Sequence, residues 1–281
     1  MILKECMLYN NDCYKKGVKI TKVTGIVVHS TGANNKTIKR YVQPSSSDKN
    51  YDAIINDIGI NKYNNHWNKS GVKKSVHAFI GINEGGKIET YQTLPYDMCC
   101  WGCASGKKGS YNYNPTARIQ FEICEDNLKD ATYFNAVFKE AIEYCAYLCK
   151  LLNIPYTEIL SHAESHKKGY ASNHGDCDKW LKKHGKDMNW FRAEVKKLLD
   201  TNTTEKTEEK TEEKIKAYKV RVTASALNIR KGAGTNYAKV GVIKDKGVYT
   251  IVEEKKGKGA TLWGKLKSGA GWISLDYVKK I

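Results

Sequence analysis

No stretch of this 281-residue chain approaches the ~18 consecutive apolar residues that a membrane span requires, so no transmembrane helix is expected. Residues 1–20, MILKECMLYNNDCYKKGVKI, hold neither a continuous apolar core nor a small-residue cleavage site, and no secretory signal is read there. The expectation is synthesis in the cytoplasm, with any role outside the cell depending on another exit route. Acidic residues are scarce toward the end: residues 217–281 carry 4 Asp/Glu against 14 Lys/Arg, a local charge of +10 within a total of +17. Such a field favours a polyanion, whether nucleic acid or an anionic wall polymer. Cysteine is absent after position 177, and the nine that occur are odd in number. Reduced thiols are therefore expected rather than a disulfide framework. Cys124, Cys145 and Cys149 sit among apolar neighbours and read as core. Cys100 and Cys103 form a CxxC without the strand-to-helix setting that a redox motif needs.

The segment TNTTEKTEEKTEEKIK at 201–216 lacks aromatics and repeats the unit TEEK. It cannot bury enough surface to offset its ordering entropy, so a flexible or transiently helical linker is expected. This divides the chain into a catalytic-sized region, 1–200, and a small region, 217–281. In the first, KVTGIVVH is a buried strand, SVHAFIGI and KIETYQ flank the turn NEGG as a hairpin, and ARIQFEICED is a further strand. Residues 133–152 place Phe134, Val137, Phe138, Ala141, Ile142, Cys145, Leu148, Cys149 and Leu152 at helical spacing. A short strand delivers His162, and the last helix runs over 188–199. The expected class is α/β, a mixed central β-sheet flanked by helices. The second region, short strands punctuated by glycine turns, reads as a small all-β barrel.

Chemistry concentrates in HAESHKKGYASNHGDCDKW, residues 162–180, which holds three His, a Cys and two Asp. Far upstream, His29 ends the apolar run GIVVH, where a strand end would hold its ring rigidly. Catalytic zinc takes three protein ligands, mostly His with Asp, Glu or Cys, and keeps a fourth position open. His29 and His162 are the first two candidates; the third comes from His166, His174, Asp176 and Cys177. His166 would share a helix face with His162, but Gly169 and the Ser-Asn-His-Gly composition point to a loop and set His166 aside as a surface residue.

The ordered motifs VVHST, SVHAFIGI, IQFEICED and SHAESH…SNHGDCDKW together resemble the type 2 N-acetylmuramoyl-L-alanine amidases, over roughly residues 20–200. That family includes phage lysozyme-like amidases and peptidoglycan recognition proteins. The resemblance implies Zn2+ held by His29, His162 and Asp176, with Cys177 the main rival for the third place. It also implies Glu122 as the general base toward an activated water and His174 as an oxyanion-stabilising partner. His77 would support the substrate groove, Trp101 would line it, and Lys107 or Lys108 would meet a stem-peptide carboxylate. His66 and Trp67 would belong to the same rim. The reaction implied is hydrolysis of the amide between N-acetylmuramic acid and L-alanine of the stem peptide.

In the C-terminal region LNIRKGAGTNYAKVG, LWGKL and GWISLDYV resemble the bacterial SH3 family of wall-binding modules. Tyr237 and Trp272 are candidate exposed aromatics, while Trp263 and Trp272 could equally be core. The leading expectation is an endolysin or autolysin made without a signal peptide and reaching the wall by holin-type release or lysis. Its partners would be peptidoglycan and anionic wall polymers, without nucleic acid or membrane insertion. The alternative is a recognition protein that binds peptidoglycan without cutting it.

Overall fold

Alternation along one strand organises the first unit: Ile119, Phe121 and Ile123 enter the main apolar core, while Gln120 and Glu122 face the other side of the sheet. A computed structural model describes residues 1–210 and 217–281, with side chains described for 1–201 and 217–281. The chain divides into two compact units, Met1–Thr201 and Asn202–Ile281.

The first unit is built on six strands: β1 (Leu3–Glu5), β2 (Ile26–Ser30), β3 (Ala78–Ile82), β4 (Ile88–Gln92), β5 (Ile119–Ile123) and β6 (Ile159–Ser161). Their order is β1-β4-β3-β5-β2-β6. The β3–β4 hairpin is antiparallel and every other pairing is parallel, so the sheet is mixed. The accompanying helices are α1 (Asp12–Lys16), α2 (Tyr51–Ile58), α3 (Ala131–Leu152), α4 (His162–Lys168), α5 (Asp176–Lys183) and α6 (Met188–Lys210). None of the described helices is long and apolar enough to cross a membrane.

Helix α3 starts where the Asp130 carboxylate caps the N–H groups of Thr132 and Tyr133, and it stops at Asn153 in the left-handed conformation. Its stripe Phe134, Val137, Phe138, Ala141, Cys145 and Leu148 packs with Ile26, Val28, Phe121 and the α5 residues Cys177, Trp180 and Leu181. On the opposite face, Tyr41, Trp67 and Phe79 form an aromatic cluster with Ile54 and Ile58 of α2. Trp67, expected at a groove rim, is thus a core residue, 7% exposed.

Residues 162–168 are helical, against the loop expected from their composition. Ser161 and Glu164 form a reciprocal capping box that starts α4, and Gly169, at φ +92°, ends it. The glycine that suggested a loop is the helix stop.

The second unit comprises β7 (Tyr218–Val222), β8 (Leu227–Arg230), β9 (Lys239–Ile243), β10 (Val248–Gly257), β11 (Ala260–Leu266), β12 (Trp272–Ser274) and β13 (Val278–Lys280). These form an antiparallel sheet in the order β13-β7-β10-β11-β12-β8-β9 around Val220, Leu227, Ile243, Ile251, Leu266 and Ile273. Trp263 and Trp272 are both buried, so of the aromatics singled out only Tyr237 is exposed. The linker expected over 201–216 lies largely outside the described side chains, and residues 211–216 lie outside the described residues altogether.

Candidate metal centre and cleft

Parallel pairing of β2 with β5 sets His29 opposite Glu122, and pairing of β2 with β6 brings the start of α4 alongside. His29, the last residue but one of β2, therefore lies beside His162, the first residue of α4. Helix α5 supplies the third group at its own first residue, Asp176. The backbone there sits at φ +25°, a left-handed conformation that non-glycine residues hold only when their surroundings impose it. The next residue explains the constraint: Cys177 is fully buried in the core, its thiol directed at Val28 O. Core packing at Cys177 turns Asp176 outward. Cys177 does not join the cluster.

Asp176 Oδ2 lies 2.8 Å from His29 Nδ1 and 2.8 Å from His162 Nδ1, and the two Nδ1 atoms are 3.1 Å apart. Among the described residues these three form the group able to hold a metal ion. A tetrahedral ion with bonds of about 2.0–2.1 Å would hold its ligand atoms roughly 3.3 Å apart, close to the spacing seen. Two imidazole nitrogens and a carboxylate oxygen are borderline-to-hard donors that suit zinc. Burial opposes the charge of Asp176, yet hydrogen bonds from His162 and His29 outweigh it and hold the carboxyl well below the usual range.

Glu122 faces the same space, and its Oε2 is buried without a hydrogen-bond partner. Burial, then the charges of Asp176 and Glu125, push its carboxyl well above the ordinary value. His174 stands at the mouth, exposed, its ring centroid 4.9 Å from that of His162 and its Nδ1 2.9 Å from Ser172 Oγ. His29, Glu122, His162, Ser172, His174 and Asp176 line a cleft of about 580 Å³ together with Lys73, Lys74, Trp101, Asn112 and Tyr113. Trp101 enters the cleft wall with its indole nitrogen unpartnered.

Several residues expected in the groove are placed elsewhere. His77 is fully buried: Nδ1 accepts from Gln120 N–H at 3.0 Å and Nε2–H donates to Met98 O at 3.0 Å. Both ring nitrogens are committed to backbone, so it has nothing to offer a substrate. Lys107 and Lys108 are exposed on a turn outside the cleft lining, and the cations that line it are Lys73 and Lys74. The pair KK just ahead of SVHAF was the available signal. His166 points its Nδ1 at Ala171 O, and His66 is likewise outside the cleft lining.

The position of His77 has a measurable consequence. Burial lowers its imidazole to about 4, only partly offset by the Met98 carbonyl that favours the charged form, while an unfolded His titrates near 6.5. As pH falls through that interval the unfolded chain takes a proton that the folded chain refuses. Stability is therefore intact above about pH 6.5, and roughly 3 kcal/mol of it is lost by about pH 4. Urea unfolding across this range should show a shallower decline for His77→Gln than for the parent chain; parallel declines would rule the effect out.

The family described as N-acetylmuramoyl-L-alanine amidase matches residues 19–178, and the bacterial SH3 domain matches residues 225–279. The Staphylococcus aureus hydrolase AmiA, in complex with its ligand, is 18% identical over 73% of this chain and 86% of that chain, with a TM-score of 0.47. The catalytic domain of XlyA is 20% identical over 69% of this chain and 99% of that chain, with a TM-score of 0.43. A mutant endolysin from Bacillus subtilis is 21% identical over 69% of this chain and 97% of that chain, with a TM-score of 0.43. No curated protein matches the chain.

Proposed function

The chain belongs to the N-acetylmuramoyl-L-alanine amidase family, and from that premise we propose that it cuts peptidoglycan through a zinc ion held by His29, His162 and Asp176, with Glu122 as general base. The observation that carries this reading is the convergence of three donor atoms beside a carboxylate oxygen that has no other partner. When bound, zinc supplies Lewis acidity that polarises the scissile carbonyl and makes a nearby water a usable nucleophile at neutral pH.

Glu122 takes the proton from that water and returns it to the departing alanine nitrogen. Its buried, unpaired Oε2 keeps the carboxylate poorly solvated and hence basic. His174, at the mouth and hydrogen-bonded to Ser172, would donate to the carbonyl oxygen as negative charge develops there. Trp101 and Tyr113 offer flat surfaces to the sugar or peptide, and Lys73 and Lys74 offer charge to a stem-peptide carboxylate. Residues 217–281, with a charge of +10, would keep the enzyme on an anionic wall, and release through a holin-type lesion or lysis would bring it there.

Mass spectrometry of purified peptidoglycan after digestion tests the bond. Fragments should carry free N-terminal L-alanine; new reducing sugar ends in their place would refute the assignment.

A further inference from the structure

His29 can bind an ion through Nδ1 only if that atom carries a lone pair rather than a proton. The backbone N–H groups of Gly102 and Cys103 both approach Asn112 Oδ1, at 3.3 and 3.2 Å. An N–H only donates, so this atom is the amide oxygen. Gln120 sets an atom 2.9 Å from the same oxygen, which must be its NH2 nitrogen, Nε2. The other end of the Gln120 amide, Oε1, then faces His29 Nε2 at 3.0 Å. A carboxamide oxygen only accepts, so His29 keeps a proton on Nε2, and Nδ1, hydrogen-bonded here to Asp176, is the nitrogen that gives up its proton to become the bare donor toward an ion.

We infer that Gln120 is a positioning residue that fixes the tautomer of His29, taking its own orientation through Asn112 from the peptide groups of Gly102 and Cys103. The inference rests on the zinc reading above. The same stretch reaches the second imidazole, because Cys103 O accepts from Ser172 N–H at 3.0 Å while Ser172 Oγ lies 3.2 Å from His162 Nε2. One loop turn therefore orders both imidazoles. The approach is close enough that a Cβ on Gly102 would stand 2.5 Å from Gln120 Oε1, so the loop needs glycine there. Gln120 is itself held on β5 by the contact of its N–H with His77.

The test measures zinc dissociation from the full chain by competition with a chromophoric chelator. Gln120→Leu is expected to weaken zinc by about 10- to 100-fold. Asn112→Asp keeps an oxygen for both backbone donors and for Gln120, and should stay close to the parent. Nitrogen-15 spectra of the zinc-loaded parent chain should show the His29 proton on Nε2, a readout that does not depend on the variant folding. Zinc bound through Nε2, or parent-like affinity in Gln120→Leu, overturns the inference alone. A parent chain that binds no zinc overturns it together with the reading beneath it.

Discussion

Replacing His29 by alanine is expected to take bound zinc from about one equivalent per chain to none, and to lower wall cleavage by on the order of a thousandfold or more. The expectation follows from how few groups hold the ion. Only His29, His162 and Asp176 converge among the described residues, and a two-ligand remnant loses most of the binding free energy of a three-ligand site. Asp176 would also lose one of the two hydrogen bonds that keep its carboxyl ionised. Metal analysis beside turbidity loss on purified walls checks both halves. Zinc retained at the parent's level, or lysis within tenfold of it, would sink the metal-centre reading.

The second large effect concerns Glu122. Glu122→Gln should lower kcat by about 10²- to 10⁴-fold, because an amide cannot accept the proton of the attacking water. Zinc content should be unchanged, since Glu122 lies outside the three-donor cluster. Stability should move the other way. The carboxyl keeps a buried oxygen without a partner in the field of Asp176 and Glu125, and a neutral amide removes that penalty. A gain of about 1 kcal/mol in urea unfolding is expected, as for other sites where activity costs stability. A variant that keeps parental turnover, or one that loses its zinc, would remove Glu122 from the role of base.

The sequence made some of this legible because the relevant signals are local. A strand-end His needs only an apolar run to be noticed, and alternation in IQFEI separates Gln120 and Glu122 from the core by counting in twos. Helix α3 announces itself through its 3.6-residue stripe. What escaped depends on tertiary placement. VHAF does not state which neighbour claims the His77 ring, and it took the Met98 carbonyl and the Gln120 amide to commit both nitrogens. Lys107 and Lys73 look alike as text, and only the path of the two loops decides which reaches the cleft. Asp176 and Cys177 are adjacent, yet a helix start directs one outward and one into the core. Short pieces such as β1, α1 and α5 offer too few residues for a period to emerge.

The nine thiols carry a consequence of their own. Every one is buried and unbonded to another sulfur. Burial pushes Cys100, Cys124, Cys145 and Cys177 well above the ordinary thiol range, and Cys99, held lower by a hydrogen bond with Cys13, is itself only 2% exposed. Oxidants and disulfide exchange require an accessible thiolate. A molecule built this way can work in air-equilibrated surroundings without knitting to its neighbours, its sulfur sealed off by the same packing that holds the sheet.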